Sequence, residues 1–418
     1  MTNVKISLDD IEKAVRPVEL FYQGCRSEAT RCQYTFCVKK IVNDYLEDIL
    51  KAESFEERVN ELVNHAKADP KWIMKIMVGF VKTLKDQTNL ESTSENFIKV
   101  RTAFNYTNAL KKVLDMNEIP LVWRKIYSML PEMNFDDSTR GYTRQEIKKI
   151  LGCAKTPERV AILIASSSGI RSGAYDFLWK DVRLVYLYEN ELLWEDEQIT
   201  ETVEKKGRIV CGMILIYKGS TSSQFAFITP ETYTGIQEYK VYWENEVGIP
   251  PKPNEPFFKF AGCIVKPLLP HSLTCRISHV VTKAGLRPKL LKGERKHNIP
   301  IMNGFRRFFN KTNKESLSKD SVLGQLIKKE MMMGHTGLIQ LDQNYFKIHV
   351  KELIEEYLNA VPNLTISDEE RLERKNENLS KKNDELQKKE WMITNLQNQV
   401  GELQIAFDIM KKSIEVKS

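Results

Sequence analysis

What this chain of 418 residues lacks narrows the choice first. No apolar run approaches the roughly 18 residues a membrane span needs. The longest candidate, VAILIASSSGI at 160–170, breaks into serines and a glycine. The opening MTNVKISLDD has no apolar signal-peptide core, so a cytoplasmic protein is expected. Cysteine is sparse: the seven (25, 32, 37, 153, 211, 263 and 275) are odd in number and scattered. That pattern fits reduced thiols and argues against a disulfide framework. No acidic cluster suggests a metal site, and no cofactor is expected. Cys263, His271, Cys275 and His279 have a spacing too open at the first pair for an ordinary zinc site. Cys275 and His279 are expected instead as a buried pair one turn apart on a helix.

What is present is a globular composition, 42% apolar and 28% charged, in a chain too long for a single core. The net charge of +7 is unevenly placed. Residues 251–350 hold 18 Lys/Arg against 6 Asp/Glu, a net of +12, which leaves −5 for the rest. A cationic region in an otherwise acidic chain is either a solvated basic face or a footprint for a polyanion.

Periodicity divides the chain. Residues 1–23 read as an N-terminal tail. From 24 to 131, apolar residues at 3–4 spacing, as in TRCQYTFCVKKIVNDYLEDIL, predict a bundle of four or five short helices. PEMNFDDSTRGYT marks a linker at 132–142. Thr143 and Glu146 form a capping box that opens a second domain, 143–366. Helical signals run from 143 to 182. RIVCGMILIYKG and SQFAFITP then predict a hairpin, and helices resume from 231 to about 360. The expected class is mostly α with a small antiparallel sheet. In the tail, 367–418, Leu372, Leu379, Leu386, Ile393, Val400 and Phe407 recur every seven residues. Leu396, Leu403 and Met410 add a second seam, but Lys375, Lys382 and Lys389 hold its earlier positions. A coiled coil or a long docking helix is expected there.

Four spots carry potential chemistry. Arg171, in SSSGIRSGAYDF, follows a glycine turn at an expected helix start and is suited to hold an anion in its fork; the bland reading is a surface ion pair. Lys218 sits at the hairpin tip, where lysine also serves solubility. In NGFRRFFNKT, Phe305, Phe308 and Phe309 are expected to face the core and to leave one of Arg306 and Arg307 facing a cavity. In MMMGHTGLIQLDQNYFK, His335 follows Gly334, and Tyr345 lies ten residues on.

In this order the four spots resemble the tyrosine recombinase (phage integrase-like) family, most closely its archaeal integrase branch. SGIR is similar to the family's first-arginine element, with Leu178 seven residues on. Lys218 is similar to its hairpin lysine, Arg306 to the arginine of His-x-x-Arg, MGH to LGH, and Tyr345 to the nucleophile. The 24–131 bundle resembles the helical core-binding (SAM-like) domain. The resemblance implies a metal-independent enzyme that cleaves and rejoins double-stranded DNA at attachment sites through a 3′-phosphotyrosyl intermediate. It implies a homo-tetramer on DNA, and an integrase of a mobile element. Arg171 and Arg306 would clamp the phosphate, Lys218 would protonate the leaving oxygen, and His335 would assist. Lys283, Arg287, Lys289, Lys292, Arg295, Lys296 and Arg307 are expected to contact the DNA. Asn303 stands where the family has a histidine, and its amide cannot titrate. Ala174 replaces a common glutamate, the His335–Tyr345 spacing is about one residue long, and an insertion is implied near 186–208. Two alternatives share the fold or the chemistry: an inactive DNA-binding protein, and a type IB topoisomerase-like nicking–closing enzyme.

Overall fold

The computed structural model describes residues 15–133, 139–220, 222–290, 294, 297–316, 322–335 and 349–415. The chain forms two compact units, one running to Asp137 with Leu290–Arg295, the other holding the rest. It is mostly helical with one four-stranded antiparallel sheet. No helix among the described residues is long and apolar enough to cross a membrane.

The first unit is helical: α1 (Pro17–Gln23), α2 (Glu28–Lys40), α3 (Phe55–Ala68), α4 (Pro70–Thr88), α5 (Val100–Met116) and α6 (Trp123–Ser128). Ser54 and Glu57 cap α3 reciprocally, and the Asp69 carboxylate starts α4 just before Pro70. Leu62, Ile73, Met77, Leu110 and Leu114 are fully buried between these helices. The stretch read as a tail differs from that expectation. Its residues 17–23 are helix α1, with Val18 and Phe21 buried, and the Asn117 amide donates to the Pro17 carbonyl.

The second unit begins with α7 (Arg144–Cys153) and α8 (Thr156–Ser168). The helical signal expected to 182 gives way after Ser168. Gly169 ends α8 in the left-handed conformation, and only single 3-10 turns follow, at Ser172–Ala174 and Trp179–Asp181. The sheet has the order β2-β1-β3-β4, with β1 (Val182–Tyr188), β2 (Glu191–Leu193), β3 (Arg208–Ile216) and β4 (Gln224–Ile228). β3 and β4 are the expected hairpin. Residues 186–208, where an insertion is expected, hold the end of β1, the turn through Glu189 and Asn190 at positive φ, β2, and a short helix α9 (Glu201–Lys206).

α10 (Pro230–Val247) stops at Gly248, another left-handed cap. Pro250, Pro251, Pro253 and Pro256 keep the next stretch out of helix, so helices do not run on from 231 as expected. That stretch is held by two isolated bridges, Leu178–Pro256 and Lys259–Pro267. α11 (Pro270–Lys283), α12 (Ile301–Glu315), α13 (Val322–Met332) and α14 (Val350–Leu364) complete the unit. Tyr357 of α14 stacks on Phe227 and donates to the Ser167 carbonyl at 2.8 Å. Glu231 accepts the backbone N–H groups of Ile366 and Ser367, which ties the end of α14 to the start of α10.

Cys275 and His279 are not the buried pair expected of them. α11 turns Leu273, Ile277, Val280 and Val281 inward, and both polar residues are exposed on its other side. Cys275 Sγ lies 3.8 Å from His271 Nε2 instead. Among the described residues no three His, Cys, Asp or Glu side chains gather as a metal would need.

The last helix, α15 (Asp368–Glu415), is continuous. Leu372, Leu379, Leu386, Ile393 and Val400 are all exposed along it.

The capping box that opens the second unit is also an acid-sensitive joint. Arg140 grips both oxygens of Glu146, at 2.7 and 2.6 Å, and the Thr143 N–H donates to it at 2.8 Å. The Arg140 bond lowers the carboxyl to about 2, against the rise that burial causes. The unfolded carboxyl titrates near 4.5, so this stabilisation is complete above that pH and fades as pH falls towards 2. Glu146→Gln is expected to cost about 1 kcal/mol at pH 7, after discounting for the exposed arginine. The cost should shrink at pH 3; urea unfolding at both pH values measures it, and an equal cost at both would refute this account.

Candidate functional site

Two glycines and one arginine build the site. Gly169 (φ +63°) stops α8, and a Cβ there would come within 2.4 Å of the Phe309 ring. The close packing of α12 on this turn therefore needs glycine as much as the turn does. Two residues on, Arg171 leaves the turn with extended backbone and an exposed side chain; the helix start expected there is the N-cap of the single 3-10 turn Ser172–Ala174 and not of an α-helix.

α12 is strongly amphipathic. Met302, Phe305, Phe308 and Phe309 are buried, as the phenylalanine spacing predicts, and Arg306 sits half-buried on the flank. Its guanidinium donates to the Gly169 carbonyl at 2.5 Å and, through Nη2, to the Met333 carbonyl at 2.6 Å. Nη2 also lies 2.9 Å from His335 Nε2. Burial first, and then the neighbouring Arg171, push Arg306 down to about 10, which still leaves it charged at neutral pH. Among the described residues neither arginine forms an ion pair. Two guanidiniums that repel one another without a carboxylate between them make a site for an anion. The Tyr217 phenol faces the same spot: burial pushes it up, and Arg171 and Arg306 draw it down.

The second glycine makes the MGH sequence intelligible. Gly334 (φ +65°) ends α13; its N–H bonds to the Met331 carbonyl and the His335 N–H bonds to the Glu330 carbonyl. These are the two bonds of a Schellman cap. The cap folds His335 back over the helix, where Nδ1 lies 2.6 Å from Glu330 Oε2. The other oxygen of Glu330 meets Lys314 Nζ at 2.8 Å. Burial raises the Glu330 carboxyl, but the Lys314 and His335 bonds outweigh it and hold the group below its ordinary value.

Lys218 stands just past β3, its side chain 59% exposed and its Nζ 3.4 Å from Asp181. Asp181 is itself buried and accepts the Leu178 N–H at 2.8 Å. Asn303 is exposed in the first turn of α12, one turn before Arg306.

Arg171, Arg306 and His335 thus come together. Arg307 points elsewhere and donates to the Thr139 carbonyl. Lys283 and Lys289 are exposed, and Arg287 is half-buried near Tyr142. Tyr345, Lys292, Arg295 and Lys296 lie outside the described residues. Reading the sequence missed Glu330, Asp181 and Tyr217. Glu330 had a legible signal, five residues before His335 across a helix-ending glycine. Asp181 had none, being 37 residues from Lys218.

No family model matches this chain, and neither does any curated protein. Among solved structures it is similar to a XerH site-specific recombinase bound to difH substrate in a pre-cleavage complex, at 14% identity and a TM-score of 0.42, over 80% of this chain and 92% of that one. It is similar to a lambda integrase (75–356) dimer bound to a COC′ core site, at 12% identity and 0.39, over 78% and 93%. It is also similar to XerA recombinase, at 12% identity and 0.32, over 82% and 95%.

The Schellman cap can be tested directly. Gly334→Ala places a Cβ in the left-handed region, and within 2.5 Å of the Gln224 side chain. A loss of about 1–2 kcal/mol is expected, read from the urea midpoint; an unchanged midpoint would mean the cap does not hold in solution.

Proposed function

We propose that this protein is a site-specific DNA recombinase of the integrase type, which cleaves and rejoins DNA through a covalent 3′-phosphotyrosyl link. The observation that carries the reading is the Arg171–Arg306 pair, neither of them in an ion pair among the described residues, with His335 bonded to Arg306. A phosphodiester in an in-line displacement gathers negative charge on its non-bridging oxygens, and two preorganised guanidiniums suit that charge. Tyr345 is the proposed nucleophile: its oxygen bonds to phosphorus as the bond to the 5′ oxygen breaks. Lys218 protonates that leaving oxygen after leaving Asp181. The new ester conserves the bond energy, so a 5′-hydroxyl from a second strand can reverse the step. All of these groups come from the protein, and the reaction as written calls on no metal.

The substrate is double-stranded DNA at attachment sites. The basic stretch that holds Lys283, Arg287, Lys289, Lys292, Arg295 and Lys296, with Arg307, is the proposed contact to its phosphates. A suicide substrate nicked beside the cleavage site tests the chemistry. The wild type should form a covalent adduct in EDTA, Tyr345→Phe none, and Arg171→Ala or Arg306→Ala an adduct ~10²–10³ times more slowly. DNA binding without any wild-type adduct would instead favour an inactive DNA-binding protein, the reading that the Asn303 amide supports.

Assembly as a tetramer on two duplexes belongs to the same proposal, with α15 as the oligomerisation or docking helix. Ser367 and Asp368 still contact the second unit, through Glu231 and Lys148. Truncation after Arg371 therefore removes the exposed stripe and spares those contacts. It should weaken pairing of two DNA sites more than binding to one, measured by gel shift with one-site and two-site DNA. Normal recombination by the truncated protein would rule this role out.

A further inference from the structure

We propose that Glu330 is a positioning residue that fixes the tautomer of His335 and makes it the proton acceptor of the site. The inference rests on the DNA-cleavage reading for its chemistry and on hydrogen-bond logic for its geometry. A guanidinium has donors only, so His335 Nε2, 2.9 Å from Arg306 Nη2, must present its lone pair. The imidazole proton is then on Nδ1 and is donated to Glu330 Oε2 at 2.6 Å. The backbone repeats the constraint, since the His335 N–H bonds to the carbonyl of the same glutamate at 3.0 Å. The Schellman cap thus sets both the five-residue separation and the side-chain contact.

The charged and titratable groups facing this pair come from every element around it. Glu330 is on α13, Arg306 and Lys314 are on α12, and Arg171 and Tyr217 lie beyond Arg306. In the resting arrangement Arg306 occupies the lone pair of His335. A phosphate oxygen that takes over Nη2 leaves Nε2 free. Nε2 then accepts the proton of the attacking hydroxyl as its oxygen bonds to phosphorus, and the departing 5′ oxygen takes a proton from Lys218. The positive charge gained by the imidazole is met by the Glu330 carboxylate, the arrangement in which a buried acid orients a catalytic histidine and stabilises its charged form. Asn303 cannot titrate, so among the described residues His335 is the imidazole of this cluster.

The test uses the full chain with ¹⁵N-labelled histidine, with His335 assigned by loss of its signal in His335→Gln. The wild type should show the Nδ1–H tautomer. Glu330→Gln removes the negative charge and should lower the proton affinity of His335 about tenfold. Lys314→Gln leaves the carboxylate wholly to His335 and should raise it. Opposite movements from two neighbouring substitutions are not what general damage would produce, and the lysine variant decides the matter if the glutamine variant does not fold. The low-pH limb of single-turnover adduct formation should move in the same directions, while the high-pH limb stays in place. An Nε2–H tautomer in the wild type, or no movement in folded variants, overturns the proposal. Movement by NMR in a protein that forms no adduct upholds the Glu330–His335 coupling and sinks the cleavage reading alone.

Discussion

A single guanidinium holds the candidate site together. Arg306 leaves α12 half-buried and satisfies the carbonyl that ends α8 and the carbonyl near the end of α13, and it meets the imidazole that follows. Without it, two helix ends would present buried acceptors with no donor, each costing about 1–3 kcal/mol. The same group supplies the charge to which an anion would come. Structure and chemistry therefore compete for its N–H groups, and the resting site is one in which the protein itself occupies the places of a ligand.

The positions of the other groups follow from where helices are made to stop. Gly169 and Gly334 adopt left-handed backbone, and each is pressed against a side chain, Phe309 in one case and Gln224 in the other. A helix ended in this way satisfies its last carbonyls with the N–H groups of the reversal and turns the following residues out at a fixed angle. Arg171 and His335 are those residues. The candidate site is thus assembled from two chain reversals laid against one amphipathic helix, and the aromatic face of α12 supplies the rigidity.

Much of this was legible in the sequence because it depends on local spacing. Phe305, Phe308 and Phe309 mark the buried face of α12 by themselves, and the Thr143–Glu146 cap and the β3–β4 hairpin are equally local. Two kinds of feature escaped. Strand β1 begins inside a stretch whose apolar residues fit helix as well as strand, and its pairing with β3 is a tertiary fact. The α10–α11 connection was expected as helix, although Pro250, Pro251, Pro253 and Pro256 exclude one there. Among the site residues, Lys218 was identifiable, but its partner was not, since nothing in a strand-end lysine announces a buried aspartate 37 positions earlier. The expected Cys275–His279 pair failed for the opposite reason. Their four-residue spacing was read correctly, but the face of α11 that they share is the solvated one.

The long helix α15 has a consequence of scale. Its 48 residues extend about 70 Å at 1.5 Å per residue. That is the length of roughly 20 base pairs of duplex at ~3.4 Å each. Leu372 and Val400, the two ends of the exposed stripe, are about 42 Å apart along that length. Whatever covers that stripe must therefore be nearly as extended as the helix itself.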